Sequence, residues 1–325
     1  MTNPLDIAFF CKNQNGIDSV FGEKRVAEIA QLGSLNPTII TPENIDSADL
    51  EKMDIIFSTW GMFVPTEEQF KRLKKLKVLF YAAGATDSFC RPFLERGVQV
   101  ISAWQANSIP VAEYCFSQII LGLKNYFQIA RNYNAQEKIS AMKAKVGPGC
   151  YGARVTLIGA GAIASKVQKL LKNCAVETLV VPSRQERRTI DLETAFATSQ
   201  IVSSHLPDRD DNIGVLNGKL FRSMPKNAVF INTGRGRQVN ESELIAILKE
   251  RPDVSALLDV TYPEPPDENS ELYTLPNVFL TPHIAGSLND EIKRMADFMI
   301  GELKSYLAHK PFQYEITESM LLTSK

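Results

Sequence analysis

Three side chains whose types suit binding of a carboxylic acid and proton transfer to it follow short apolar runs in the second half of the chain. They are Arg235, Glu264 and His283. A guanidinium can hold a carboxylate with two hydrogen bonds. A histidine paired with a carboxylate can donate and accept a proton near neutral pH. Together the three residue types predict proton transfer coupled to hydride transfer on a 2-oxo or 2-hydroxy acid.

Other residues of the same types offer alternatives. His205 also follows an apolar run, and we expect it to line a cofactor cleft without acid–base work, whereas His309 is expected at the surface. Arg235 could instead cap a helix or form a salt bridge. Arg237, two positions further on, is expected to face solvent.

A glycine-rich turn precedes these residues in the chain. Gly159 and Gly161 begin a GxGxxA pattern that ends at Ala164 and directly follows the apolar run Val155-Thr-Leu-Ile. In a strand–turn–helix context this pattern is typical of dinucleotide binding, because small residues let the backbone approach the pyrophosphate. The backbone N–H groups of Ala162 and Ile163 are then expected to face the phosphates at a helix N-terminus.

The next apolar run indicates which dinucleotide is bound. NAD-binding proteins usually place Asp or Glu at its end to bind the ribose hydroxyls. Here Pro182 takes that position, followed by Ser183, Arg184 and two more arginines. A hydroxyl and a guanidinium suit a 2′-phosphate, so the pattern favours NADP over NAD. Glu186 and a purely solvated role for the arginines leave NAD open.

These residues require strands to position them. Two series of short apolar runs alternate with helical stretches and predict two doubly wound parallel-sheet domains. The first series is Ile7 to Phe10, Thr38 to Thr41, Asp54 to Ser58, Val78 to Tyr81 and Val98 to Ser102. The second is Arg154 to Ile158, Thr178 to Val181, Ile201 to Ser204, Ala228 to Asn232, Ser255 to Asp259 and Val278 to Leu280.

Two long helices are predicted beside these series. One runs from Pro110 to about Gln136, with Pro110 in its first turn, and the other from Asn289 to His309. The segment from Phe312 to Thr323 is expected to finish in the first domain.

Composition excludes several classes of function. Of 325 residues, 44% are hydrophobic and 22% charged, and the net charge is -1, which predicts a globular protein without general attraction to nucleic acid or membranes. Five scattered cysteines without a CxxC pair indicate a reducing, cytoplasmic location and argue against a metal site.

Three motifs in order resemble those of the D-2-hydroxyacid dehydrogenase family, including its glyoxylate and hydroxypyruvate reductases. They are Thr233-Gly-Arg235-Gly, Asp259-Val-Thr-Tyr-Pro-Glu264-Pro and Thr281-Pro-His283. The resemblance implies a Rossmann cofactor domain, residues 106–286, inserted into a flavodoxin-like substrate domain, residues 1–105 plus 287–325. It also implies a homodimer formed through the Rossmann domain.

The resemblance assigns further residue roles. Asp259 would hold the nicotinamide carboxamide, and backbone groups at Gly84 and Ala85 would receive the substrate carboxylate, alongside Arg235 and His283. Further cofactor contacts are expected at Pro207, Thr233 and Gly286. The sequence thus predicts an NAD(P)-dependent oxidoreductase acting on a small 2-oxo or D-2-hydroxy acid. The alternatives are a non-enzymatic dinucleotide sensor and another dehydrogenase chemistry, such as formate oxidation.

Overall fold

The computed structural model describes residues 4–321 of the chain. These residues form two compact units. Unit 1 contains the residues up to Asn107 together with those from Ser287 onward, and unit 2 runs from Ser108 to Gly286.

Unit 1 is built on a parallel sheet. Its described strands are β1 (Asp6–Phe9), β2 (Ser34–Leu35), β3 (Ile55–Ser58), β4 (Val78–Tyr81) and β5 (Gln99–Ser102). They lie in the order β2-β1-β3-β4-β5, which is the flavodoxin-like order. Alternate residues of β1 enter different cores, Ile7 on one face and Ala8 on the other, so both faces are covered. The predicted doubly wound fold is therefore confirmed for this unit.

The predicted position of one strand of unit 1 is wrong. The segment Thr38 to Thr41 makes an isolated bridge between Ile40 and Phe10, and the second strand lies earlier, at Ser34–Leu35. Pro37 has no N–H to donate, and the side chain of Asn36 accepts from the N–H of Thr38 at 2.9 Å. These two features interrupt the ladder that the apolar run suggested.

Unit 2 contains a longer parallel sheet. Its described strands are β6 (Arg154–Ile158), β7 (Glu177–Val181), β8 (Ile201–Ser204), β9 (Val229–Asn232), β10 (Ser255–Leu258) and β11 (Val278–Leu280). They match the second predicted series and lie in the order β11-β10-β9-β8-β6-β7. The chain changes direction across the sheet between β6 and β8. Ligands of such folds bind at this switch point, beyond the carboxyl ends of the strands.

Helices cover both sheets. In chain order they are α1 (Gln14–Val20), α2 (Gly22–Leu32), α3 (Glu67–Arg72), α4 (Arg91–Leu94), α5 (Trp104–Leu123), α6 (Tyr126–Asn132), α7 (Ile139–Lys143), α8 (Ala162–Leu171), α9 (Leu192–Thr198), α10 (Gly218–Ser223), α11 (Glu241–Glu250), α12 (Ile292–Leu307) and α13 (Glu318–Leu321). Among the described residues, none of these helices is long and apolar enough to span a bilayer.

The long helix predicted from Pro110 differs in two respects. Helix α5 begins at Trp104, so Pro110 lies inside it rather than in its first turn. The helix ends at Leu123, and Asn125, in the left-handed conformation with φ 55°, starts the separate helix α6. Apolar composition alone did not reveal this break, because both helices bury apolar side chains against the same core of unit 2.

The last predicted helix is confirmed. A 3₁₀ turn at Asn289–Glu291 leads into α12, whose buried face packs on the β1–β3–β4 side of the unit 1 sheet. After α12, Glu315 bridges to Ile101 and Ile316 joins the core on the opposite face. The end of the predicted Phe312 to Thr323 segment lies outside the described residues.

Candidate active site

The predicted site residues of unit 2 follow the carboxyl ends of its strands. Because the strands are parallel, these ends share one edge of the sheet. Gly159 follows β6, His205 follows β8 and Arg235 follows β9. Asp259 follows β10 and His283 follows β11.

The turn after β6 needs glycine for two different reasons. Gly159 has φ +106°, and a Cβ there would lie 2.4 Å from the carbonyl oxygen of His205, so the backbone leaves no room for a side chain. A Cβ on Gly161 would meet nothing within 4 Å among the described atoms, so the protein's own packing does not require this glycine. The open space above Gly161 is where a dinucleotide pyrophosphate would approach.

Helix α8 starts directly at this turn. Its N-cap is Gly161, which has no side chain to accept from the first N–H groups of the helix, those of Ala162 and Ile163. The helix N-terminus carries a partial positive charge, which favours an anion. Ala164 is buried in the core, where a larger residue would push the helix from the sheet.

The arginines of the turn after β7 have different partners. Arg188 donates to the carbonyl oxygens of Pro182 and Ser183, at 3.0 and 2.8 Å, and so holds the turn together. Arg184 is about one-third exposed and lies 3.9 Å from Glu186. Arg188 is thus committed to the backbone, whereas the Arg184 guanidinium has only the long contact with Glu186 and is the better candidate to bind an anion.

Sequence reasoning missed a second arginine near this turn. Arg209 is buried and makes a two-pronged ion pair with Asp211. The hydrogen bond to Asp211 raises the pKa of Arg209, and Glu186 adds a smaller effect in the same direction, which locates Arg209 near the β7 turn. Its position just beyond the end of β8 was the signal that could have identified it.

His205 is buried beside the glycine turn. Its Nε2 lies 3.0 Å from Ser203 Oγ, while Nδ1 has no hydrogen-bond partner among the described residues. Burial lowers the pKa of His205 to about 4, so the ring is neutral at neutral pH. A neutral ring fits the predicted role as a cofactor contact rather than a role as a proton donor.

The remaining predicted cofactor residues differ in their surroundings. Thr233 is buried with its Oγ1 3.1 Å from Cys115 Sγ. The carbonyl oxygen of Pro207 accepts from the side chains of Asn212 and Gln238, at 3.0 and 2.9 Å. Gly286 is half-buried at the end of unit 2.

Asp259 organises the turn that carries the histidine. Its buried carboxylate accepts from the Thr281 hydroxyl at 2.6 Å and from the N–H groups of Ile284 and Ala285 at 2.8 and 2.9 Å. Its carbonyl oxygen accepts from the N–H of His283 at 3.0 Å. Asp259 thereby fixes both sides of His283.

The structure brings His283 and Glu264 together. His283 Nδ1 lies 2.6 Å from Glu264 Oε1, and the two side chains are 48% and 42% exposed. His283 has φ 53°, and Glu264 lies between two cis prolyl bonds. A carboxylate on Nδ1 orients the ring and leaves Nε2 for proton exchange.

Arg235 lies on a tightly held turn after β9. The side chain of Asn232 accepts from the N–H of Gly234 at 3.1 Å and donates to the carbonyl oxygen of Arg235 at 3.2 Å. A Cβ on the next residue, Gly236, would lie 1.9 Å from the carbonyl carbon of Thr261. Glycine at this position lets the Arg235 turn press against the segment that leads to Glu264.

Arg237 does not simply face solvent as predicted. Its side chain is 29% exposed and forms ion pairs with Asp208 and Asp210. Asp208 also lies near Arg235 Nε, at 3.7 Å. Asp208 is a second residue that the sequence reasoning missed.

Unit 1 carries the predicted Gly84–Ala85 turn after β4. The Ser102 hydroxyl lies 2.8 and 2.7 Å from the carbonyl oxygens of Ala83 and Gly84 and fixes the turn. Ala85 is exposed. Within residues 4–321, no cluster of three or more His, Cys, Asp or Glu side chains could hold a metal ion.

The fold is that of a dinucleotide-binding α/β protein, and a histidine–carboxylate pair lies at the edge of its sheet. The sequence model of the D-isomer specific 2-hydroxyacid dehydrogenase NAD binding domain matches residues 116–285, just over half of the chain. The chain belongs to this D-2-hydroxyacid dehydrogenase family.

Relatives of known name agree with this placement. A glyoxylate reductase of Thermofilum pendens is 34% identical over 170 residues, which are 50% of this chain and 50% of that protein. The chain spans about half the length of the curated relatives it matches first.

Solved structures share the fold. An NAD-complexed D-isomer specific 2-hydroxyacid dehydrogenase of Lactobacillus delbrueckii ssp. bulgaricus has a TM-score of 0.76 at 17% identity, covering 96% of this chain and 100% of that one. An acyclic imino acid reductase, Bsp5, in complex with NADPH and D-Arg has a TM-score of 0.73 at 22% identity, with the same coverage.

Proposed function

We propose that this protein is an oxidoreductase that transfers a hydride between NAD(P)H and a small 2-oxo acid, giving the D-2-hydroxy acid, and the reverse. The 2.6 Å contact between His283 Nδ1 and Glu264 Oε1 carries this proposal. The chain belongs to a family of such dehydrogenases. The His283–Glu264 pair lies at the same sheet edge as Arg235 and the glycine turn.

Each of the three side chains has a distinct task in this reaction. Arg235 binds the substrate carboxylate through its guanidinium and orients the carbonyl group. His283 donates a proton from Nε2 to the carbonyl oxygen during reduction and takes it back during oxidation. Glu264 holds the ring through Nδ1 and balances its positive charge. The nicotinamide, when bound, supplies or accepts the hydride.

The glycine turn and its surroundings fit a dinucleotide. The open space at Gly161 and the N–H groups at the start of α8 suit a pyrophosphate. The neutral, buried His205 would form the wall of the cofactor cleft, together with Pro207 and Thr233. Asp259 and Gly286 complete the proposed set of cofactor contacts.

We further propose NADP as the preferred cofactor. The turn after β7 has no carboxylate at Pro182, and Arg184 is partly exposed, as a reader of the 2′-phosphate must be. Glu186 lies 3.9 Å from Arg184 and would compete with the phosphate, so the expected preference is modest rather than absolute.

The proposed substrate class is small 2-oxo acids such as glyoxylate and hydroxypyruvate. The relative named glyoxylate reductase supports this class. Unit 1 would then be the substrate domain, with the Gly84–Ala85 turn as a carboxylate contact, and unit 2 the cofactor domain.

A homodimer formed through unit 2 and a cytoplasmic location complete the proposal. Apolar side chains are exposed along residues 121–151, among them Tyr126 at 49%, Val146 at 50% and Tyr151 at 91%. Exposed apolar side chains are what a dimer interface would cover, and this stretch is the proposed one. All five cysteines are free thiols, as in a reducing compartment. Light scattering after gel filtration would measure the mass in solution.

The decisive test follows the absorbance of NADPH and NADH with glyoxylate, hydroxypyruvate, pyruvate and phenylpyruvate. We expect turnover of at least one acid by the wild type, loss of turnover in His283→Ala, and a lower KM for NADPH than for NADH. Tight cofactor binding without turnover of any 2-oxo acid would refute the enzymatic proposal and favour a dinucleotide sensor.

A further inference from the structure

One carboxylate lies between the two arginines of the β9 turn. Asp208 Oδ1 accepts from Arg237 Nε at 2.5 Å, and Asp208 Oδ2 lies 3.7 Å from Arg235 Nε. Arg237 also reaches Asp210 at 3.3 Å. The hydrogen bond to Asp208 raises the pKa of Arg237, so this guanidinium stays charged. Asp208 is thus shared, one oxygen for each arginine.

The segment that leads to Asp208 is tied to the arginine turn. The side chain of Gln238 donates to the carbonyl oxygens of Leu206 and Pro207, both at 2.9 Å, and so ties the segment before Asp208 to the arginine turn. A Cβ on Gly234 would lie 3.3 Å from the carbonyl oxygen of Leu206, so the two segments are in close contact. The backbone that carries Asp208 is therefore held next to the arginine turn.

We propose that Asp208, which lies at ion-pair distance from Arg235, competes with the substrate carboxylate for that guanidinium, while Arg237 weakens the competition by sharing Asp208. This inference rests on the proposed role of Arg235 in substrate binding. It goes beyond that role because it makes the affinity for the carboxylate depend on two further residues, Asp208 and Arg237.

The charges predict effects of opposite sign for the two neighbours. Arg235, Arg237, Asp208 and Asp210 have formal charges that cancel. Asp208→Asn removes the anion that lies beside Arg235, so carboxylate binding strengthens. Arg237→Gln leaves Asp208 to Arg235 alone, so carboxylate binding weakens. A purely structural role would instead weaken binding in both variants.

The expected size of the effect follows from the exposure of the groups. Arg235 and Asp208 are 43% and 38% exposed, and exposed ion pairs change equilibria by about 1.5- to 5-fold. We therefore expect the KM for glyoxylate to fall about two- to fivefold in Asp208→Asn and to rise by a similar factor in Arg237→Gln. The kcat should stay within about twofold, because neither residue takes part in proton transfer.

The experiment uses oxamate, an unreactive analogue of a 2-oxo acid, so that it does not depend on turnover. Its dissociation constant is measured by calorimetry on the full chain with NADPH or NADH present, beside the KM for glyoxylate. Asp210→Asn is the matched control, since Asp210 is 85% exposed and pairs with Arg237 alone in the described structure. Asp208→Ser is the second variant should Asp208→Asn fail to fold.

The outcomes separate this inference from the proposed function. Opposite shifts for Asp208→Asn and Arg237→Gln, with little change in Asp210→Asn and smaller shifts at high salt, would support the inference. In an Arg235→Gln background, Asp208→Asn should have no further effect. Shifts of the same sign, or none, would overturn the inference alone. A wild type that does not bind oxamate, or an Arg235→Gln variant that binds it equally well, would overturn both.

Discussion

The close approach of Gly236 to Thr261 yields the sharpest prediction about the site. In Gly236→Ala the new Cβ would lie 1.9 Å from the carbonyl carbon, 2.0 Å from the carbonyl oxygen and 2.6 Å from the Cα of Thr261. All three are backbone atoms, so no side chain can rotate away. Reaching an ordinary contact of 3.4 Å from 1.9 Å requires a shift of about 1.5 Å, the difference between the two values.

This shift would separate the turn of Arg235 from the segment that leads to Glu264. Overpacking of this kind costs about 1–3 kcal/mol of stability. A displacement of about 1 Å in a catalytic arrangement lowers the rate by about a hundredfold. We therefore expect Gly236→Ala to lower both the melting temperature and kcat/KM, the latter by about a hundredfold.

Thermal unfolding and NADPH oxidation with a substrate identified in the acid panel would measure the two effects. Gly301→Ala is the control, because a Cβ at this exposed position in α12 meets nothing within 4 Å among the described atoms. Alanine there should raise stability by about 0.5–1 kcal/mol and leave turnover unchanged. If Gly236→Ala keeps wild-type stability and activity, the argument that this contact positions the arginine is refuted.

Three further predictions concern single side chains. His283→Ala should lower kcat by about a hundred- to ten-thousandfold with nearly unchanged cofactor affinity, and Glu264→Gln should lower kcat less. Stopped-flow kinetics would measure kcat, and titration would measure the cofactor affinity. Full activity of His283→Ala would show that His283 does not take part in the reaction. Arg184→Ala should weaken the binding of NADPH much more than that of NADH, whereas Arg187→Ala should change the binding of neither. Equal losses of affinity for the two cofactors would show that Arg184 does not bind the 2′-phosphate. Because burial lowers the pKa of His205 from 6.5 to about 4, the unfolded chain binds a proton first as the pH falls. The stability due to the neutral ring is therefore complete above pH 6.5 and is lost towards pH 4, by about 3 kcal/mol. Denaturant unfolding across this range should show a smaller loss in His205→Gln, and an equal loss would contradict the assignment.

Much of the fold could be predicted from the sequence. The strands of unit 2 follow apolar runs buried on both faces, and such runs identify themselves without any knowledge of their neighbours. The second strand of unit 1 could not be found this way, because the interruption at Pro37 depends on which backbone groups face β1. The break at Asn125 escaped for a similar reason, since a left-handed residue leaves no mark in apolar periodicity.

The candidate site, too, could be predicted only in part from the sequence. The sequence by itself determined that Arg235, Glu264 and His283 follow successive strands, and parallel strands necessarily bring their carboxyl ends to one edge. The tertiary structure alone decided which partners these residues have. Asp208 lies between two arginines, Arg188 is bound to the backbone while Arg184 is not, and Gly236 touches Thr261. Strand ends are set by local patterns of burial, whereas ion pairs and close backbone contacts depend on turns that meet only after the whole sheet has formed.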